Sequence, residues 1–501
     1  MDVASLAVGL DEHITGAPSL VIAHLACHSG DVRPGTLFFC IPGLKADGHD
    51  FAPAAVAAGA VALVCERPLD LPVPQVVVPS ARRAMAHMAA RWYGDPSAQL
   101  KIATVTGTNG KTTTAHLLAA GFAAAGLPCA LLGTVVNRIG GVDSPALLTT
   151  AESLELQLLL RRMVDAGDKA CAMEASSHAL ALDRTEAIQF AAVLFANLTR
   201  DHLDFHLDVE DYYRAKRRLF LPHEQRQPGA VAVINIGDEF GRRLAAECAP
   251  HYGDDLWTTA IGQGLGLRTG ATVVAQDIDL RADGSSFTLK APRLGVEERI
   301  KLKLAARFNV ENALLAAAAL LALGLPVKAI HEGLAQTGGV PGRFEPVSTG
   351  QPFTVFVDYA HTPDSLASAL QAARAIANGR VLVVFGCGGD RDRGKRPIMG
   401  AIAAKLADVA FVTSDNPRGE DSAAIIAEGV AGISAENRQH VVIEPDRRAA
   451  IAQALAAARR GDVVLIAGKG HEQGQIVAGK KLPFDDRLVA RELLAGLGSG
   501  A

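Results

Sequence analysis

Short runs of β-branched and other apolar residues alternate with alanine-rich stretches along most of this chain, and this alternation limits the folds it can adopt. The runs are apolar throughout, which is typical of strands buried on both faces of a parallel sheet. The candidate strands are residues 75–78, 102–105, 191–195, 231–234, 381–385, 409–413 and 463–466. Strands that are separated in this way by helices predict an α/β fold with mostly parallel sheets.

Two breaks in the pattern predict where one domain ends and the next begins. A glycine and a proline follow a helical stretch at residues 93–96, and a glycine-rich segment at 338–342 follows a second one. A chain of 501 residues suggests three domains at about 150 residues each. We therefore expect domains at 1–96, 97–337 and 338–501.

Charge and hydropathy exclude several classes of protein. Lysine plus arginine (49) nearly balance aspartate plus glutamate (53), so no overall basic field attracts nucleic acid or an anionic membrane. The longest uncharged apolar stretch, residues 313–327, is interrupted by Gly324 and Pro326 and is shorter than the roughly 20 residues that a membrane span needs. It predicts a buried helix followed by an exit turn.

The N-terminus and the cysteines indicate a compartment. The first residues, MDVASLAVGLDEH, are acidic and lack the positive start of a signal peptide. The seven cysteines occur singly, with no CxxC pair, which favours reduced thiols. We expect a cytoplasmic protein without a nucleic-acid partner or a membrane span, and a monomer.

The segment KIATVTGTNGKTTTAHLL, residues 101–118, has the order of strand, glycine turn and helix that is typical of a phosphate-binding loop. Backbone N–H groups of such a loop, together with the helix N-terminus, bind phosphate oxygens. Lys111 would contact the β- and γ-phosphates, and the Thr112 hydroxyl would bind Mg²⁺. Because Gly107 and Gly110 lie closer together than the glycines of a Walker A loop, a strand–helix turn with an incidental lysine stays an alternative.

Three further residues are metal or catalytic candidates, because they occur together after the phosphate loop, although each alone would more simply be structural. Glu174, in MEASSHAL, follows an apolar strand and suits Mg²⁺, although a lone carboxylate there would more often cap a helix or pair with a cation. His202, in NLTRDHLDFH, would alone more often be structural, and Lys216, in YYRAKRRLF, would alone be one charge on a solvated helix face. The order in which these segments follow the phosphate loop favours a functional interpretation of all three.

That order resembles the Mur ligase family, the ATP-dependent amino-acid ligases of peptidoglycan precursor synthesis. The matching segments extend over nearly the whole chain and are TGTNGKTTT, MEASSHAL, NLTRDHLDFH, YYRAKRRLF, RFNVEN, VPGRFE, DYAHTPDSL, GCGGDRDRGKRP, TSDNPR and AGKGHEQ. The resemblance implies an N-terminal domain for the UDP end of a substrate, a central ATPase and a Rossmann-like C-terminal domain for an incoming amino acid.

The resemblance also implies the chemistry and its residues. ATP would phosphorylate the carboxylate of UDP-N-acetylmuramoyl-L-alanyl-D-glutamate, and an amine would attack the acyl phosphate. The catalytic residues would be Lys111, Glu174, His202 and Lys216. Thr112 and Glu174 would bind the first of two Mg²⁺ ions, and His202 and a carbamylated Lys216 would bind the second. The implied ATP-binding residues are Gly107, Thr108, Asn109, Gly110, Lys111, Thr112, Thr113, Asn309, Arg343 and Asp358.

Two further groups of residues match the family's substrate contacts. The DNPR motif implies meso-diaminopimelate as the incoming amino acid, because an arginine can bind its second carboxylate with two parallel hydrogen bonds. The residues matched to this amino acid are Arg391, Asp415, Asn416, Pro417, Arg418, Gly468 and Glu472, the last suited to the distal ammonium. Those matched to the UDP-substrate are Ser29, Thr149, Thr150, Ser176 and Arg184. The sequence departs from the family pattern at His28, Gly30, Leu148, Leu182 and Gly474.

Three other functions fit part of the pattern. A lysine-adding relative would share everything except the arginine of DNPR. A ligase of the folylpolyglutamate type would share the phosphate loop and the metal scheme, but it is disfavoured by DNPR, by GKGHE and by the N-terminal domain. A nucleotide-driven switch would share the loop alone and would not need Arg391, Arg418 and Glu472.

Overall fold

A computed structural model gives the fold, and it describes residues 1–43, 46–262 and 270–498. The last three residues of the predicted third domain therefore lie outside the described residues. The chain divides into two compact units, each continuous in space but not in sequence. The first contains Met1–Thr106, Gly126–Val193 and Ala215–Val231, and the second contains the rest of the described chain.

Helices and strands alternate as the sequence predicts. The helices are α1 (Val3–Ala7), α2 (Ala52–Ala57), α3 (Ala81–Trp92), α4 (Lys111–Ala124), α5 (Ser153–Asp165), α6 (Ser177–Ala181), α7 (Val209–Arg217), α8 (Glu239–Tyr252), α9 (Arg307–Ala322), α10 (Val327–Gln336), α11 (Pro363–Ile376), α12 (Lys395–Leu406), α13 (Ser422–Ala431), α14 (Arg447–Ala457) and α15 (Asp486–Gly498). Short 3₁₀ turns connect several of them.

The strands are short and most are buried. They are β1 (His13–Thr15), β2 (His24–Ala26), β3 (Thr36–Phe39), β4 (Ala60–Cys65), β5 (Gln75–Val77), β6 (Lys101–Thr106), β7 (Cys129–Leu132), β8 (Asn137–Ile139), β9 (Val142–Ser144), β10 (Ala170–Glu174), β11 (Ala192–Phe195), β12 (Val231–Asn235), β13 (Leu256–Ile261), β14 (Val273–Arg281), β15 (Gly284–Ala291), β16 (Val296–Leu302), β17 (Glu345–Pro346), β18 (Thr354–Asp358), β19 (Val381–Phe385), β20 (Val409–Val412), β21 (Val441–Ile443), β22 (Val463–Ala467), β23 (Gly474–Val477) and β24 (Lys480–Pro483).

The first unit contains a five-stranded sheet in the order β1-β5-β4-β3-β2, parallel except for β1. Apolar side chains cover both of its faces. On one face Phe39 packs with Leu6 of α1 and Met85 of α3, and on the other Phe38 packs with Ala55 of α2. In the same unit β10 lies between β6 and β7 with parallel pairing, and β8 and β9 add an antiparallel extension to β7.

The second unit contains a six-stranded sheet in the order β17-β18-β22-β19-β20-β21, parallel except for β17. Helices α11 and α12 cover one face, where Leu370 and Met399 are buried. Helices α14 and α15 cover the other face, where Ile451 and Val489 are buried. This doubly covered parallel sheet is the Rossmann-like arrangement that was expected for the C-terminal part.

All seven predicted strands occur, as β5, β6, β11, β12, β19, β20 and β22. The predicted buried helix is α9, and its exit turn contains Gly324 with a φ of +77°. All seven cysteines are free thiols. None of the helices in the described ranges has the length and apolar character that a membrane crossing would need. The strands β14, β15 and β16 form an antiparallel meander that the sequence analysis did not predict.

A buried ion pair ties α14 to the start of α15. The side chains of Arg447 and Asp486 are both fully buried and form two hydrogen bonds of 2.8 and 2.7 Å. Arg447→Met should destabilise the second unit by about 3–5 kcal/mol, because the Asp486 carboxylate would stay buried without its partner. Scanning calorimetry measures the effect as a lower unfolding temperature.

The neighbouring residue supplies the matched control. Arg448 pairs with Glu492 at 2.9 Å, but both side chains are at least half exposed. Arg448→Met should therefore cost about 0–1 kcal/mol. Equal losses from the two variants would contradict the role of burial.

Candidate active site

The loop between β6 and α4 has a backbone shape that requires glycine. Gly110 has a φ of +86°, in the left-handed region that side chains disfavour. A Cβ at this position would also collide with Oδ1 of Asn312, from α9. The loop is held from the other side by Asn197, whose Oδ1 accepts the Asn109 N–H at 2.9 Å and whose Nδ2 donates to Asn109 O. Two asparagines therefore fix the loop that the sequence predicted.

The two polar residues that begin α4 contact different parts of the chain. Lys111 Nζ donates to the carbonyl oxygens of Gly107 and Thr108 at 2.8 and 2.9 Å. Thr112 Oγ1 accepts a hydrogen bond of 3.1 Å from Arg343 Nη2. Arg343 lies in the predicted third domain, so the structure brings a distant cation to the helix that follows the loop. Its guanidinium also stacks over the Tyr359 ring, 4.6 Å from the centroid.

Two other predicted ATP contacts lie near these groups. Asn309 is buried in α9, donates to Ala305 O at 2.7 Å and accepts from Nδ2 of Asn312. Asn309 is therefore linked to the Gly110 backbone through Asn312. Asp358, at the end of β18, accepts the Phe344 N–H at 2.7 Å. Burial raises the pKa of Asp358 above its ordinary value, although the positive charge of Arg343 opposes this shift.

His202 lies on a loop that reaches the phosphate loop through Tyr212. The histidine has a φ of +55°, and its ring packs edge-on against Tyr212 with centroids 5.9 Å apart. The Tyr212 hydroxyl lies 3.1 Å from Thr108 Oγ1. Asp201 Oδ2 lies 3.4 Å from His202 Nε2. Burial alone would raise the pKa of Asp201, but His202 and neighbouring basic groups outweigh burial and hold this pKa below its ordinary value.

In the first unit, Glu174 is the last residue of β10, and its side chain is held by Thr134. Its two carboxylate oxygens accept the Thr134 N–H at 2.7 Å and the Thr134 hydroxyl at 3.1 Å. Thr134 Oγ1 also lies 3.0 Å from Thr149 Oγ1. Gly133 leaves the room for this arrangement, since a Cβ there would collide with Glu174 Oε1. The carboxylate therefore has one defined orientation.

Four of the five residues predicted for the UDP-substrate are connected to Glu174 by hydrogen bonds. Thr150 Oγ1 donates to Glu174 O at 2.9 Å and accepts the Ser176 N–H at 3.1 Å. Arg184 Nη1 donates to Thr150 O at 3.0 Å. Together with Thr149 they form one hydrogen-bonded cluster around Glu174. The fifth, Ser29, begins a separate 3₁₀ turn and has no hydrogen bond to these four in the described chain.

Lys216, near the end of α7, is not on a solvated face. Only 1% of it is exposed, and its Nζ lies 3.5 Å from the hydroxyl of Thr106, the last residue of β6. A buried ammonium needs compensating partners, so a lysine here is unusual. The burial excludes the simplest alternative that the sequence left open for this residue.

The residues predicted for the amino-acid substrate meet at the carboxyl ends of β20 and β22. Asn416 Nδ2 donates to Glu472 Oε2 at 2.8 Å, and Lys469 Nζ donates to both side chains, at 3.0 and 2.9 Å. Asp415 Oδ1 lies 3.7 Å from the same Nζ. Gly468, with a φ of +118°, leaves space for the Asp415 carboxylate. The two motifs DNPR and GKGHE thus form one buried polar cluster.

Arg418 and Arg391 both lie against Gly388. Arg418 has a left-handed backbone, with a φ of +54°, and its Nη1 donates to Gly389 O at 2.8 Å. A Cβ on Gly388 would lie 2.8 Å from Arg418 Nη1 and 3.9 Å from Arg391 Cγ. A cavity of about 440 Å³ opens beside Arg391. Its lining consists of Arg200, Leu203, Asp204, Asp390, Arg391 and Asp392.

The sequence analysis missed the residues that hold this machinery in place. Asn312, Asn197, Thr134 and Lys469 each fix a predicted residue through a hydrogen bond. All but Thr134 lie inside segments that were already singled out, and the available signal was a polar residue next to a predicted contact. No group of three or more His, Cys, Asp or Glu residues is placed to hold a metal within the described ranges. Of the predicted metal ligands, Thr112 and His202 belong to the second unit and Glu174 and Lys216 to the first.

Comparisons with known proteins identify a family for all three parts of the chain. The family described as "Mur ligase family, catalytic domain" matches residues 21–93, and "Mur ligase middle domain" matches residues 105–320. The family described as "Mur ligase, glutamate ligase domain" matches residues 342–470.

Among curated proteins, the UDP-N-acetylmuramoyl-L-alanyl-D-glutamate–2,6-diaminopimelate ligases of Geobacillus thermodenitrificans and Geobacillus kaustophilus are each 46% identical to the chain over 486 residues. Each match covers 96% of the chain and 96% of the relative. A solved structure of a ligase with the same name matches with a TM-score of 0.71 and 31% identity, over 99% of both chains.

The phosphate loop yields a direct test of the glycine requirement. Gly110→Ala should weaken ATP binding at least about tenfold, or about 1.4 kcal/mol, because the methyl group would displace Asn312 and the loop. Isothermal titration calorimetry measures the affinity. Gly126→Ala is the control, since Gly126 also has a positive φ of +77° but has open space around the new methyl group. Equal ATP affinity in both variants would contradict the proposed contact.

Proposed function

Since the chain belongs to the Mur ligase family, we propose that it is the ATP-dependent ligase that joins 2,6-diaminopimelate to UDP-N-acetylmuramoyl-L-alanyl-D-glutamate. Relatives with this name align over nearly the whole chain. The observation that carries the proposal is that Arg391 and Arg418 both lie against Gly388, while Asn416 of the same DNPR motif donates a hydrogen bond to Glu472. The distal end of diaminopimelate bears a carboxylate and an ammonium, so this set of charges complements it.

The reaction must turn an unreactive carboxylate into an electrophile. Transfer of the γ-phosphoryl group of ATP to the substrate carboxylate forms an acyl phosphate and ADP. The amine of diaminopimelate then attacks the acyl carbon, and phosphate leaves from the tetrahedral intermediate. Lys111 and the N–H groups of the loop reduce the repulsion between the two anions. Arg343, which contacts Thr112, adds a positive charge from the third domain.

Mg²⁺ is the metal that the donor set suits. Thr112 and Glu174 offer hydroxyl and carboxylate oxygens, which Mg²⁺ prefers, and we assign them to the first ion. His202 and Lys216 are assigned to the second. The burial of Lys216 supports carbamylation, because that modification replaces a buried cation by a carboxylate that can bind metal. Bound Mg²⁺ would neutralise the phosphate charge during transfer.

We propose three domains, with boundaries at 1–96, 97–337 and 338–501. The five-stranded sheet lies entirely within the first range, and the six-stranded sheet lies within the third. Arg343 and Asp358 belong to the third domain, and the contact of Arg343 with Thr112 supports their assignment to the ATP site. An ATP site that is completed by residues of the third domain would exclude water and protect the acyl phosphate from hydrolysis.

Ser29, Thr149, Thr150, Ser176 and Arg184 are proposed to bind the UDP-substrate. Four of them are connected to Glu174 by hydrogen bonds, so the carboxylate to be activated would approach the first metal ion. The monomeric state and the cytoplasmic location stay predictions.

Phosphate release separates this function from its alternatives. We expect release from ATP to require both the nucleotide-sugar dipeptide and diaminopimelate. Release with ATP alone would favour a nucleotide-driven switch, and release with a folate and glutamate would favour a ligase of the folylpolyglutamate type. Either result would contradict the proposal.

Arg418 should select the amino acid. Arg418→Ala should weaken the apparent affinity for diaminopimelate by about 1.5–3 kcal/mol, the size of a charge-assisted hydrogen bond. Steady-state kinetics at saturating ATP measures this as a higher KM. Arg438→Ala, which removes an exposed arginine of the same domain, should leave the KM as it is. An unchanged KM for Arg418→Ala would remove Arg418 from the site.

Lys216 should act through the negatively charged carbamate on its side chain rather than through a free amine. Lys216→Ala should abolish phosphate release, and added short-chain carboxylates should restore part of it by occupying the space of the carbamate. Incorporation of ¹³C-bicarbonate, followed by NMR, reports the carbamate itself. Lys101→Ala changes an exposed lysine of β6 and serves as the control. Full activity of Lys216→Ala would overturn the assignment.

A further inference from the structure

Lys469 is a fully buried lysine in the polar cluster at the amino-acid end of the site, and the proposed reaction gives it no role. None of its side chain is exposed. Its Nζ lies 3.0 Å from Asn416 Oδ1, 2.9 Å from Glu472 Oε2 and 3.7 Å from Asp415 Oδ1. A buried ammonium is destabilising unless its charge and its N–H groups are compensated. Here two hydrogen-bond acceptors and the more distant Asp415 carboxylate surround it, so the lysine has a fixed position.

The two carboxylate oxygens of Glu472 have different surroundings. Oε2 accepts hydrogen bonds from Lys469 Nζ and from Asn416 Nδ2. Oε1 has no hydrogen bond to the residues that the structure describes, and 30% of the Glu472 side chain is exposed. One oxygen is therefore fixed inward, and the other is available to the ammonium of a ligand.

The lysine also orients the turn that carries Arg418. Asn416 Oδ1 accepts from Lys469 and from the Ile476 N–H at 2.9 Å, which fixes the orientation of the amide. The Asn416 carbonyl oxygen accepts the Gly389 N–H at 2.9 Å, and Gly389 O accepts from Arg418 Nη1. A short chain of hydrogen bonds thus connects the lysine to the guanidinium that is proposed to bind the second carboxylate.

The local charge matches the same end of the ligand. Lys469, Asp415 and Glu472 together carry one net negative charge, and the adjacent buried pair of Arg447 and Asp486 carries none. Burial, helped by nearby positive charges, lowers the pKa of His471 to about 4, so its ring is neutral at pH 7. One negative charge complements the single distal ammonium of diaminopimelate. Without Lys469, no positive charge would lie between the two carboxylates of Asp415 and Glu472.

We propose that Lys469 is a positioning residue for the amino-acid substrate, which holds Glu472 and Asn416 so that the outer oxygen of Glu472 receives the distal ammonium. The inference rests on the proposed function, because it takes diaminopimelate as the ligand. It goes beyond that function in assigning a role to a residue that touches no substrate.

The test compares two amino acids that differ only in the distal amine. Lys469→Met keeps an unbranched side chain of nearly the same length and removes its charge. We expect the KM for diaminopimelate to rise roughly 10- to 100-fold, as for loss of a hydrogen bond to a charged group. The KM values for ATP and for the nucleotide-sugar should stay within about twofold. The KM for 2-aminopimelate, which has both carboxylates but no distal amine, should change little, because Glu472 has no ammonium to bind there.

Each alternative outcome has a defined meaning. Equal increases in KM for both amino acids would mean that Lys469 acts only on local structure, and an unchanged KM for diaminopimelate would also overturn the inference. Lys405→Met, at an exposed lysine of α12, is the control for loss of a positive charge. Absence of diaminopimelate-dependent turnover in the unaltered protein would overturn the proposed function, and the inference with it.

A second variant covers the case in which Lys469→Met does not fold. Lys469→Arg keeps the charge but changes the geometry of the donors. If Lys469 acts through Glu472, this variant should raise the KM for diaminopimelate more than that for 2-aminopimelate. A parallel rise for the two amino acids would contradict the inference.

Discussion

The contact between the Gly110 backbone and the Asn312 amide is the constraint on which the nucleotide end of the structure depends. It exists only because Gly110 has no side chain and can adopt a positive φ. Through Asn312 the loop is joined to Asn309, and through Thr112 it is joined to Arg343. One close approach of backbone to side chain therefore connects groups that are far apart in the sequence and that we propose to act on the same triphosphate.

Buried charged side chains hold the loops near the residues that are proposed to bind the amino-acid substrate. Lys469 and Arg447 are fully buried and paired with carboxylates, and so is Arg396, whose guanidinium binds Glu420 and Glu428. Glu420 in turn accepts the backbone N–H of the loop residue before Arg391. Buried ion pairs contribute less to stability than their number suggests, because each charge loses its hydration. They fix the loops that carry the residues proposed to bind the amino-acid substrate.

The sequence predicted strands that are apolar throughout, such as β19 and β22, because burial on both faces leaves a continuous hydrophobic run, although it missed the similar runs of β4 and β7. It missed β15, whose residues alternate between buried and partly exposed and resemble a surface segment. The motifs singled out Glu174 for a metal ion and Thr150 for the UDP-substrate, and the hydrogen bond from Thr150 to the Glu174 carbonyl oxygen was not predicted. The burial of Lys469 and the left-handed backbone of Arg418 could not be predicted, because both are imposed by tertiary packing.

We propose that this ligase adds diaminopimelate because two arginines and one carboxylate recognise its distal end. The most direct test offers diaminopimelate and L-lysine together, in equal amounts, with ATP and UDP-N-acetylmuramoyl-L-alanyl-D-glutamate, and identifies the products by mass spectrometry. We expect the diaminopimelate product in large excess. A product containing mainly lysine would keep the ligase chemistry and contradict the proposed recognition, and no coupled product at all would contradict the ligase itself.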